Sequence, residues 1–252
     1  MNGCPTTGRR KDLMTFILRR TTARTPAALY NRAMSLVAIG QCAAAMVCLN
    51  LAAARGHLPS RALMAHMLSG GREGVAKDHK RAFELVNMGY QMGCHHCQGV
   101  LAMCYKLGHG CVKADALQSL ELARESAKKG SKYGQCVLGE LYRCGLGGLE
   151  KDSSKAVELF RLAVTQKLDC AQCSLGEMIG YYSDVQLKAA ALRLYQLAGA
   201  QGFSKALHHI AGCHLYGTGG VPKNKDEAIC WYRLAQAAGS QDAKWDLQML
   251  RA

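Results

Sequence analysis

The side chains most able to do chemistry gather at Cys94-His95-His96-Cys97, with Cys104, His109 and Cys111 downstream. Thiolates and imidazoles are zinc ligands, and a structural zinc takes four of them at about 2.0–2.3 Å. Residues 97–107 carry the apolar pattern of one helix, however. At ~1.5 Å per residue, its ends lie about 15 Å apart. One ion cannot draw ligands from both ends, so the run is read without a metal. Cys170 and Cys173 repeat the C-x-x-C spacing, but a redox motif of that kind follows a strand in a βαβ unit, and no strand pattern precedes them.

The remaining motifs lack their partners. Ser126-Ala127-Lys128-Lys129 contains the Ser-x-x-Lys of penicillin-binding enzymes, without the Ser-Asp-Asn or Lys-Thr-Gly that completes such a site. No Gly-Lys-[Ser/Thr] follows the glycine runs, so they are not phosphate loops. His57 and His208-His209 have no carboxylate or nucleophile at helical spacing and are read as surface or satisfied histidines. The expectation is a chain that is not an enzyme and carries no cofactor.

The elements that would position these residues are repeated helix pairs. A helix stop falls at Gly56, Gly93, Gly130, Lys167, Gly202 and Gly239, at intervals of 37, 37, 37, 35 and 37 residues. A period of this length marks a solenoid. Four residues before each stop sits a small residue: Ala52, Gly89, Ser126, Ala163, Ala198 and Ala235. Eleven before sits another: Ala45, Ala82, Ser119, Ala156, Ala191 and Ala228. Two small positions seven apart share a helical face, so this second helix of each unit can approach a neighbour closely. Glycine suits the stop because it accepts positive φ; Lys167 must end its helix another way. A first helix precedes each second one, marked by Met64-Ala65, Leu101-Ala102, Leu138-Gly139, Leu175-Gly176 and Ile210-Ala211. Glycine hairpins join the two, except in the fourth unit, where Tyr181-Tyr182-Ser183-Asp184 predicts a distorted connection. Upstream, Thr25-Pro26 reads as an N-cap and first helical residue, opening a helix that stops at Gly40; a second runs from Cys42 to Arg55.

With 252 residues, the chain is long enough to bury a core without disulfide staples. Its thirteen cysteines are therefore expected to be free thiols, with Cys42, Cys48, Cys104, Cys213 and Cys230 as small core residues. Cys136 and Cys173 hold equivalent places in neighbouring units, whose helices would pack about 8–10 Å apart, beyond the Cα separation a bridge accepts. No apolar run approaches a membrane span. The formal net charge is +14. Residues 1–32 hold seven basic residues against Asp12 alone, so the excess is concentrated at the start. Residues 1–24 read as a basic tail and are similar to a mitochondrial transit peptide.

Unit five carries Ala206, Gly217, Gly219, Val221, Ala228, Trp231-Tyr232, Ala238 and Gly239; unit three carries Leu138-Gly139, Tyr142, Gly145, Gly147, Asp152, Lys155-Ala156 and Phe160; unit one carries Gly71, Val75, Asp78, Arg81-Ala82 and Gly93. In this pattern the chain resembles the Sel1-like repeat family. The resemblance implies an all-α, right-handed solenoid of antiparallel helix pairs, close to the tetratricopeptide superhelix, and a role in assembling other proteins. Residues 25–252 would comprise a degenerate unit at 25–57, five units over about 58–240 and a capping helix at 241–252. Disulfide-rich members bridge a second helix to the next first helix. No cysteine here sits beside Ala163, Ala198 or Ala235 to make that bridge.

By analogy with the related solenoid, first helices line a concave groove. Counting from the apolar marks selects His66, His96, Met103, Lys106, Tyr133, Glu140, Arg143, Glu177, Lys205 and His208. This mixed lining suits a peptide or protein partner, and differs from the uniform basic stripe of a nucleic-acid channel. The leading expectation is an intracellular, most simply cytoplasmic, non-enzymatic scaffold or adaptor, mitochondrial if residues 1–24 are a transit peptide. The alternatives are a nucleic-acid-associated protein acting through its basic tail, a thiol-redox or metal-handling protein, and a secreted effector or hydrolase.

Overall fold

A computed structural model describes residues 25–250; the basic tail and the last two residues of the expected capping helix lie outside it. Thirteen helices follow one another among the described residues. The degenerate unit is α1 (Pro26–Ala38) and α2 (Cys42–Ala54). The five following pairs are α3 (Leu58–Gly70) with α4 (His79–Gln91), α5 (His95–Leu107) with α6 (Ala116–Lys128), α7 (Lys132–Cys144) with α8 (Ser153–Thr165), α9 (Asp169–Gly180) with α10 (Val185–Ala200), and α11 (Ser204–Tyr216) with α12 (Lys225–Ala237). The capping helix is α13 (Gln241–Met249). Among the described residues the only β pairing is an isolated bridge between Arg72 and Val75 in the first glycine hairpin.

Local chemistry sets these boundaries. Thr25 caps α1, its hydroxyl accepting the Ala28 N–H, with Pro26 in the first turn. Asp78, Asp115, Asp152, Asp184 and Asn224 cap the five second helices, each side chain accepting a backbone N–H three residues on, which satisfies a donor the helix leaves orphaned. Of the six helix stops, Lys167 takes the left-handed conformation itself, at φ 58°. In the fourth unit a short turn over Tyr181–Asp184 replaces the glycine hairpin, and α10 has 16 residues where the other second helices have 13.

The small positions do what their spacing requires. Ala45, Ala52, Ala82, Ser119, Ser126, Ala156, Ala163, Ala198, Ala228 and Ala235 are fully buried. Stacked pairs build one continuous core from Ala33 to Leu175; beyond it the core splits into two smaller clusters. Cys42, Cys48 and Cys104 are core residues as expected, but Cys213 is half-buried and Cys230 is exposed, the latter because it lies two residues past buried Ala228, on the outward side of α12.

The stack curls until its beginning meets its end. Arg72, in the α3–α4 hairpin, lies over the Phe203 ring at 5.0 Å. The Cys42 thiol reaches the Gln201 carbonyl at 3.6 Å. A Cβ added at Gly71 would stand 3.3 Å from the Ala238 carbonyl oxygen. The first-unit hairpin thus seats against the turns that end α10 and α12. This seam brings residues about a hundred positions apart into one site.

Candidate functional site

The curl creates a buried clasp. His66 of α3 and Asp169 of α9 meet with Nε2 and Oδ1 2.7 Å apart, and the Arg72 guanidinium donates to the other Asp169 oxygen. All three are buried: 5%, 4% and 2% exposed. The Cys170 N–H also donates to Asp169, at 2.7 Å. Burial alone would push the Asp169 carboxyl upward; Arg72 and His66 outweigh it and hold it far below the usual carboxylate range. Asp169 reaches this place because Lys167, in its left-handed turn, delivers Leu168 and Asp169 to the start of α9.

From the clasp a ladder of charges crosses the first helices. Lys106 of α5 lies 3.8 Å from Glu140 of α7. Arg143, one turn along α7, donates to Glu140 at 2.6 Å and approaches Glu177 of α9 at 3.9 Å. Lys205 and His209 of α11 complete it at 2.5 and 2.8 Å from Glu177. Burial would raise Glu177, but the bonds from His209 and Lys205 bring it down to about 2. Glu140 is likewise lowered, against burial, by Lys106, Ser174 and Arg143. Each carboxylate is thus ionised and already answered by cations of the same surface.

Two cavities flank the ladder. One, of about 320 Å³, is walled by His66, Met103, Lys106, Tyr133, Glu140 and Lys205, together with Cys136, Cys170, Cys173 and Phe203. The other, of about 720 Å³, is walled by Glu177, Lys205 and His208 with Tyr181, Tyr195, His209, Tyr216, Tyr232 and Asp246. Tyr181 is 90% exposed and Tyr216 72%, while Tyr195 is buried and stacks on His209 with ring centroids 4.7 Å apart.

Nine of the ten residues selected from sequence fall on these features, and their environments differ. His66 and Tyr133 are buried and packed ring to ring at 5.3 Å. Met103, Lys106, Glu140, Glu177, Lys205 and His208 line a cavity, and Arg143 stands in the ladder. His96 lines neither cavity; its Nδ1 meets the Ser131 hydroxyl at 3.1 Å, and burial, with His95 and Lys132 nearby, lowers it to about 4. Two of the three histidines read as lacking carboxylates have them from other helices: His208 meets Asp246 of α13 at 2.7 Å and His209 meets Glu177, whereas His57 meets the Ser60 hydroxyl at 2.8 Å. Sequence spacing missed these, and it missed Arg72, Asp169 and the exposed tyrosines. A cue existed for Tyr181 and Tyr182, since they stand where other units place hairpin glycines.

Two donor groups among the described residues gather, each around a carboxylate that is already engaged. His66, Asp169 and Cys170 bring ligand atoms within 4.8 Å of one another, as do Cys173, Glu177 and His209. In each set the carboxylate is already held by a cation, Arg72 or Lys205, which would repel an incoming divalent ion. Cys94 and Cys97 are buried at the start of α5. The Cys97 bond, against burial and with help from the Cys97 and His96 N–H groups, lowers Cys94 to about 6.

Relatives with solved structures share this architecture. The chain resembles c5321, a protective antigen of uropathogenic Escherichia coli displaying an SLR fold, at 25% identity and a TM-score of 0.51, over 93% of this chain and 50% of that one. It therefore spans about half the length of that relative. A Sel1 repeat protein from Oxalobacter formigenes matches at 20% identity and a TM-score of 0.50, over 95% of this chain and 70% of that one. The immunity protein Pa5087 from Pseudomonas aeruginosa matches at 19% and 0.50, over 74% and 67%. No curated protein matches the sequence. The Sel1 repeat model matches residues 59–94, 95–131, 132–168, 171–203 and 204–240, well over half of the chain. With these five repeats stacked as its helix pairs, the chain belongs to the Sel1 repeat family.

Proposed function

We propose that the protein is a non-catalytic scaffold that holds a segment of a partner protein in the downstream half of its concave face. Sel1 repeats are typically protein–protein interaction modules, which supports the class. The observation that carries the location is the open cavity of about 720 Å³, where Tyr181 and Tyr216 stand exposed beside a charge ladder that is already satisfied. Exposed tyrosines supply large, stiff contact area and a hydroxyl at low entropic cost. Paired charges contribute little net attraction but set which partners are tolerated. The upstream cavity is less than half as large and lies beside the buried clasp. Twelve free cysteines among the described residues suit a reducing, intracellular compartment.

The test is capture of partners by the full chain and by a Tyr181→Ala/Tyr216→Ala variant. The reading expects at least a tenfold loss of the captured species with the melting temperature unchanged. Undiminished capture would place the interface elsewhere. The net charge of +14 supports a second reading, nucleic-acid association through residues 1–24; deleting them should then flatten the salt dependence of RNA binding.

A further inference from the structure

The groove wall contains a pair of thiols that the repeat pattern does not pair. Cys136 is in the second turn of α7 and Cys170 in the first turn of α9, so they belong to first helices of successive units. Their sulfurs are 3.3 Å apart. The repeat register sets Cys136 against its equivalent, Cys173, at a helix separation too large for a bridge. Cys170 lies one turn earlier on α9, next to Asp169 of the clasp, to which its N–H donates. Both sulfurs border the cavity of about 320 Å³, so a small oxidant can reach them, although Cys136 itself is buried. Cys173 is on the same wall but its thiol faces Glu177, at 3.9 Å.

We propose that Cys136 and Cys170 are a reversible oxidation site, closing a disulfide between α7 and α9 when the protein meets hydrogen peroxide. The sulfurs need to approach by roughly 1.2 Å to reach bonding distance. In the first step the Cys136 sulfur attacks the peroxide, the O–O bond breaks, and a sulfenic acid and one water form. In the second, Cys170 attacks the sulfenic sulfur, the S–O bond breaks and a second water leaves. The two thiols lose two electrons and two protons, and the peroxide is reduced to water. Cys170 has its pKa raised by its bond to Cys136 and then by burial, which suits the second, slower role. A dithiol reductant reverses the reaction by exchange. The bridge ties two successive units together beside the clasp and stiffens that wall of the groove. The inference rests on the thiol geometry alone and stands or falls apart from the partner reading.

Peptide mapping of the oxidised full chain tests it. Trypsin releases Cys136 in residues 133–143 and Cys170 in residues 168–188, which also holds Cys173. After hydrogen peroxide and alkylation, the expected product is these two peptides joined, with Cys173 still alkylated, and dithiothreitol separates them. The oxidised protein should melt about 5–10 °C higher than the reduced one. Cys136→Ser and Cys170→Ser should abolish that rise and Cys173→Ser should keep it. Exposed Cys111, Cys144 and Cys230 report that the oxidant acted. If they are oxidised while 133–143 and 168–188 stay separate, or if Cys170 pairs with Cys173 inside one peptide, the proposal is wrong.

Discussion

The two ends of the groove use the same residue types for different purposes. Upstream, His66 meets Asp169 at 2.7 Å beside Tyr133. Downstream, His208 meets Asp246 at 2.7 Å beside Tyr232. The first pair is buried and held by Arg72 from a hairpin that arrives over the top; the second is half-buried and open to a cavity. A histidine–aspartate contact therefore says little by itself about structure or recognition. What decides is whether the superhelix has curled far enough to cover it. In this chain the curl buries the upstream pair and leaves the downstream pair half-exposed.

The comparison breaks most sharply at Asp169. Removing one partner of a buried ion pair strands the other charge, at a cost of about 3–5 kcal/mol, so Asp169→Asn should lose about that much in urea unfolding. Asp246→Asn, its half-exposed counterpart, should lose under about 1 kcal/mol. Acid should reveal the same contrast. The folded Asp169 carboxyl is held below its unfolded value, so its contribution is complete above about pH 4 and is lost as pH falls toward the folded value. Wild-type stability should drop below about pH 4, and the drop should be smaller in Asp169→Asn. Glycines sharpen the comparison at a smaller scale. A Cβ at Gly99 of α5 would stand 2.5 Å from the Gly134 nitrogen and 2.7 Å from the Ser126 hydroxyl, whereas one at Gly212 of α11 would meet nothing within 4 Å. Gly99→Ala should destabilise by about 1–3 kcal/mol; Gly212→Ala should stabilise by about 0.5–1 kcal/mol, both read by thermal melting. The smallest effect belongs to Lys167→Gly, which relieves a left-handed lysine and should gain about 0.5 kcal/mol without disturbing the clasp that the turn presents.

Most of the fold was legible because it is local and repeated. The 37-residue period, the buried pairs such as Ala156 and Ala163, and the glycine stops each express a helix packing on its neighbour. The distorted fourth connection was legible from Tyr181–Asp184. The clasp was not, because His66 and Asp169 are 103 positions apart and meet only through curvature accumulated over several units. Cys136 and Cys170 escaped for a related reason: equivalence between units sets Cys136 against Cys173, whereas the thiol that meets Cys136 is Cys170, one turn earlier on α9. The groove residues were selected by position alone, which placed buried Tyr133 and cavity-lining Lys205 in one set and could not separate their environments.

The central claim is that the first unit is clasped to the fourth through Arg72, His66 and Asp169. A double-mutant cycle of Arg72→Met and Asp169→Asn, measured by urea unfolding at pH 7, tests it most directly. The clasp predicts a coupling of about 2–3 kcal/mol between two residues 97 positions apart. Additivity within about 0.5 kcal/mol would mean that these side chains do not meet, and that nothing at this seam ties the first unit to the fourth.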